Sequence, residues 1–176
     1  MKILICDIIL IAFLAASLAS DLRFKIIPNS LNISAIVAGM ALNVYFSGYS
    51  GLSASASGAA LGAGLLLIPY IMGGIGGGDL KMLAAVGAFN GSAFVFVAFI
   101  GAALSGGLIA LFIAVSRGSG RETLSRIKMI FTLLAHRINP SELYNKEQDA
   151  KRVFPYAGAI AAGTLTALLF SRFFSL

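Results

Sequence analysis

The chain has 176 residues, of which 59% are hydrophobic and 11% charged, with a formal net charge of +6 and a mean hydropathy of +0.93. A soluble domain of this size cannot hide so much apolar surface, so the composition points to a bilayer. The single cysteine, Cys6, and single histidine, His136, exclude a disulfide framework, a cysteine-based zinc site and a multi-histidine metal cluster.

The apolar runs are continuous, where a membrane β-barrel would alternate. The predicted fold is therefore all-α: a polytopic membrane protein forming one domain over residues 1–176, with about six transmembrane helices. The first runs from about Ile3 to Ser20. Its small residues before Ser20 also suit a cleaved signal, but Asp7 interrupts the apolar run, and cleavage would part the span from Asp21. Asp7 itself reads as an interfacial carboxylate near Lys2. Pro28 stops this helix from running on, and Asn29 or Ser30 is placed to cap the second, about Leu31 to Phe46. The third covers about Ala54 to Met72. The glycine-rich stretch from Gly73 to Gly78 cannot hold a stable helix and leads directly into Asp79. A fourth segment, about Leu80 to Phe89, is too short to cross a full bilayer as a straight helix. The turn Asn90-Gly91 separates it from the fifth, about Ala93 to Val115. Residues 117–154 are the one substantial hydrophilic stretch. There Leu124, Ile127, Phe131 and Leu134 recur at helical spacing among Arg121, Arg126, Lys128 and Arg137, which predicts an amphipathic helix on the cytoplasmic membrane surface. The sixth span covers about Tyr156 to Phe170.

Six crossings put both termini on one side. Of the 13 basic residues, all but Lys2 and Arg172 fall in the odd-numbered connections. The positive-inside rule makes those connections cytoplasmic and both termini external. Asp21 and Asp79 then share the cytoplasmic end of the bundle. A carboxylate at membrane depth is costly and marks a functional-site candidate. Asp7 is no partner for them, since it stands roughly 21 Å from Asp21 along one helix at 1.5 Å per residue.

Two carboxylates within hydrogen-bond reach cannot both ionise easily, so one keeps its proton. The charged one can take a proton from water while the protonated one polarises a peptide carbonyl. No competing G-x-S-x-G elbow or H-E-x-x-H helix is present, and Cys6 and His136 fall on opposite sides. Gly76, Gly77 and Gly78 leave room for a substrate backbone to approach. Arg23, Lys25 and Lys81 read first as topology anchors and second as charges that ease ionisation of the aspartates. The same residues also suit a small proton- or cation-coupled transporter or channel subunit. A non-catalytic assembly protein of a secretion machine is a third reading.

Asp21 followed by Ile27-Pro28-Asn29, then Gly76-Gly77-Gly78-Asp79-Leu80-Lys81, resembles the type IV prepilin peptidases, which are GxGD-type membrane aspartic proteases. The late Pro155-Tyr156-Ala157-Gly158 followed by Ala162-Gly163 is similar to the family's final-span region. Bifunctional members carry an added cytoplasmic region with cysteine pairs and also N-methylate the new terminus. This chain lacks that region and is closer to the short Flp-type prepilin peptidases or archaeal preflagellin peptidases. The resemblance implies catalytic roles for Asp21 and Asp79, with Gly76, Gly77, Gly78, Pro28 and Asn29 in the substrate-binding loops. It also implies cleavage of a short basic leader at the cytoplasmic face of the inner membrane, with no methyltransferase activity, cofactor or metal. The expected partners are a prepilin with a basic leader and an apolar helix, and membrane lipid, but not nucleic acid.

Overall fold

The computed structural model describes residues 2–72, 74–116 and 156–174. Contacts divide the chain into a unit of residues 1–106 and 154–176 and a second unit of residues 107–153. Among the described residues the protein is all-helical: α1 (Lys2–Phe24), α2 (Asn29–Ile71), α3 (Gly77–Ser116) and α4 (Tyr156–Phe174). All four are long and apolar enough to cross a membrane. The amphipathic helix expected within 117–154 lies outside the described residues.

The six segments anticipated from the apolar runs appear as four helices because two boundaries are single glycines instead of loops. Gly48 interrupts α2 with φ 58° and ψ −138°, and Gly91 interrupts α3 with φ 82° and ψ −177°. Only glycine adopts such angles without a steric penalty. At Gly48 the chain turns back on itself, bringing Gly51 against the Asn43 carbonyl. In a straight helix that pair would stand about 12 Å apart.

Both arms of α2 pack on the first arm of α3. Gly39 lies against the Ala88 backbone, Gly58 against Gly87, and Gly62 against Leu83 and Ala84. Missing Cβ atoms let these backbones meet, which is how helices associate when lipid supplies no hydrophobic drive. Every residue from Met82 to Phe89 is buried. The short segment is thus enclosed by its neighbours, so it need not span lipid alone. Antiparallel contacts close the rest of the unit: Gly163 of α4 meets Gly101 and Ala102 of α3, and Gly158 meets Leu18 of α1.

Breaking α3 at Gly91 frees backbone carbonyls in the preceding turn, and in lipid these must be satisfied from within the protein. Asn43 Nδ2 donates to Ala88 O at 3.0 Å and Phe89 O at 2.9 Å. Ser55 Oγ donates to Ala88 O at 2.6 Å. One residue from each arm of α2 therefore serves the break in α3. Asp7 stands at this same end. It pairs at 2.9 Å with Arg172 of α4, so the expected relation to Lys2 gives way to an inter-helix ion pair. The antiparallel packing of α1 and α4 brings these distant residues together. A cavity of about 360 Å³ opens beside them, lined by Asp7, Asn43, Phe89, Phe94 and Phe170 among others.

Candidate active site

The opposite end of the bundle gathers the remaining acidic residues of the described chain. Asp21 lies in the last turn of α1, which closes with the Lys25 N–H donating to the Asp21 carbonyl at 2.8 Å. Lys25 ends the helix in the left-handed region at φ 53°, a cap position more often taken by glycine. Ser20 Oγ then donates to Ile26 O at 2.8 Å and folds the loop back under the helix. The loop turns Ile27 inward, where it is 6% exposed.

Pro28 opens α2 at its N-cap with no side-chain capping bond. The expectation that Asn29 or Ser30 caps this helix is therefore corrected. Proline's fixed φ suits the entry, and the Asn29 side chain is used elsewhere: its Oδ1 accepts from Lys81 Nζ at 2.8 Å. A turn further on, Asn32 Nδ2 donates to the Gly78 carbonyl at 3.2 Å. Two bonds thus tie the start of α2 to the start of α3, and Lys81 is directed toward Asn29.

Asp79 sits in the first turn of α3. Its N–H donates to Gly76 O at 3.1 Å, and the Gly76 backbone amide faces its carboxylate in return. An acid in this position interacts favourably with the helix N-terminus. The three glycines before it each make room for a different neighbour. A Cβ on Gly76 would meet Asp79 Oδ2 at 3.3 Å, one on Gly77 the Tyr70 ring at 3.3 Å, and one on Gly78 the Ile27 side chain at 3.2 Å. In this structure that space is taken by the chain's own residues, two of them from the loops and helix ends flanking the site.

Asp21 and Asp79 lie at the same end of the bundle. Asp21 is 9% exposed and Asp79 6%, and their charges lie within electrostatic reach of one another. Lys25 lies within similar reach of Asp21, whereas Arg23 stands over the Phe24 ring at 5.3 Å. The half-buried Tyr156 at the start of α4 lies within electrostatic reach of Asp79. Among the described residues no third metal-binding side chain joins the two carboxylates.

Two side chains at this end escape a reading of the sequence: Tyr70, which with Ile27 of the Ile27-Pro28-Asn29 motif walls the glycines, and Asn32, which holds one of them. Tyr70 gives no signal against an apolar background. Asn32 does give one, as a polar residue inside an apolar span. It stands one turn after Asn29 and so shares its face.

Fold and site together define an all-α membrane protein with two buried acids drawn to one end of the helix bundle. The model of the type IV leader peptidase family matches residues 8–111, a stretch that contains both acids. The chain belongs to this family, and its general activity is that of a prepilin-type peptidase, a membrane protease. No curated protein and no solved structure gives a match.

Proposed function

We propose that this protein is an aspartic endopeptidase of the cytoplasmic membrane that removes the short basic leader of Flp-like type IV prepilins. The whole chain acts as one membrane-embedded peptidase domain. With α2 reversing at Gly48 and α3 breaking at Gly91, six crossings leave both termini external and the Asp21–Asp79 end cytoplasmic. The distribution of basic residues among the connections supports this orientation. A prepilin's scissile bond, between a basic leader and an apolar helix, would reach the membrane at that boundary.

The observation that supports the reading is that Asp21 and Asp79 are both buried at one end of the bundle, within electrostatic reach of one another. In the proposed reaction one carboxyl keeps its proton and shares it with the scissile carbonyl oxygen, while the other takes a proton from water. The water oxygen bonds to the carbonyl carbon. Collapse of the tetrahedral intermediate breaks the C–N bond, and the leaving amine takes a proton from the pair. The two acids act as a unit, so the roles belong to the pair. Gly76, Gly77, Gly78, Pro28 and Asn29 shape the loops that receive the peptide. The enzyme cleaves and does not methylate.

The test is maturation of a co-expressed prepilin. Asp21→Asn and Asp79→Asn are each expected to leave the leader attached while the protein still inserts into the membrane. Mature pilin at the wild-type level in either variant overturns the reading.

A further inference from the structure

The Asn32 side chain is fully buried at 0% exposure, inside the first turn of an apolar helix. Its Nδ2 donates to the Gly78 carbonyl across 46 positions of sequence. A carbonyl only accepts, so this bond fixes which end of the amide is nitrogen and leaves Oδ1 as the other atom. That Oδ1 is buried with no hydrogen-bond partner. Lipid cannot solvate it, and a buried acceptor without a donor destabilises the fold. A leucine would avoid that penalty but would leave the Gly78 carbonyl without its Asn32 donor. The asparagine is accounted for by what it does for Gly78.

The Gly78 carbonyl is one peptide unit from Asp79. Gly78 also lies close to Ile27, against which a Cβ would stand at 3.2 Å. The bond from Asn32 and the contact with Ile27 together fix the backbone that carries the Asp79 carboxylate. Both come from the segment that follows Asp21. We infer that Asn32 is a positioning residue for the reaction: its amide N–H locks the Gly78 carbonyl and so sets the Asp79 carboxylate against Asp21. This rests on the two-aspartate reading above and assigns it a residue outside both sequence motifs. Asn32 does no chemistry itself. It limits the wander of one acid relative to the other, and misplacement of a reacting group by about 1 Å costs roughly 100-fold in rate.

A structural role and a positioning role differ in what Asn32→Leu does to each folded molecule. If Asn32 serves only the fold, activity falls only with the folded fraction. If it serves position, kcat per folded molecule falls roughly 10- to 100-fold, with KM changed far less.

The measurement is steady-state cleavage of purified prepilin by the full-length enzyme in detergent, with thermal unfolding of the same samples. Asn32→Ala is included in case leucine prevents folding. Asp79→Asn is run beside them. Wild-type kcat in Asn32→Leu or Asn32→Ala, with Asp79→Asn inactive, overturns the role of Asn32 and leaves the peptidase reading standing. Loss of activity in proportion to loss of folded protein also overturns it. Full activity in Asp79→Asn overturns the peptidase reading itself.

Discussion

The two ends of this helix bundle handle buried polarity in opposite ways. At the end marked by Asp7, the polar groups named above are partnered. Asp7 meets Arg172, and Asn43 and Ser55 serve the carbonyls freed by the break at Gly91. At the end marked by Asp21, three buried side-chain atoms among the described residues have no hydrogen-bond partner: Ser17 Oγ, Asp21 Oδ2 and Asn32 Oδ1. All three side chains belong to α1 and α2, the helices on either side of the loop after Asp21, and each unsatisfied group of a native interior calls for an explanation.

That contrast can be broken from either side. The largest expected effect is on catalysis: Asp21→Asn or Asp79→Asn should lower kcat/KM by at least about 1,000-fold. Because the side chain keeps its shape, thermal unfolding should stay close to wild type. A variant that is inactive because it is unfolded would erase the distinction between the ends. Next comes the close approach of α2 to α3. Gly58→Val drives a side chain into the Gly87 carbonyl and should cost about 3 kcal/mol or more, read as loss of folded protein in detergent.

Asn43→Ala should act on stability alone. It leaves the Phe89 carbonyl without its Asn43 donor and the Ala88 carbonyl with only Ser55, at about 1–3 kcal/mol. Cleavage per folded molecule should be unchanged. A fall in kcat here, with stability intact, would contradict the division of labour. The smaller effects come from pairs with an exposed member. Arg172→Ala leaves Asp7 unpaired, but the arginine side chain is 55% exposed, so about 1 kcal/mol is expected. Lys81→Met removes an exposed bond to Asn29 and should change both stability and kcat by less than about threefold.

The sequence made the acids visible and hid much of what holds them. Asp21 and Asp79 stand out because a charge in an apolar span is expensive and the glycine run marks an interrupted helix. The reversal at Gly48 was less legible. The serine- and glycine-rich stretch between the second and third segments reads as a loop. The fold instead continues it as helix on both sides of one glycine, with Ser50 Oγ and Ser57 Oγ bonding back to the preceding turn. Asn29 reads as a helix cap because its residue type suits that position, yet Lys81 on a distant helix claims it. The Asp7–Arg172 pair spans 165 positions, and no local pattern announces a contact of that range. Asn32 shows the same limit. Its polarity is plain, but its partner is a backbone carbonyl, and carbonyls carry no sequence signal.

The central claim is that two acids on different helices act as one unit, and a double-substitution cycle tests it most directly. Cleavage of a prepilin substrate would be measured for Asp21→Asn, Asp79→Asn and the combined variant, each shown to be folded in detergent. If the acids share one reaction, removing the second after the first costs nothing further, and all three variants sit at the same residual rate. Independent losses that multiply in the combined variant, or substantial turnover in either single variant, would contradict the account.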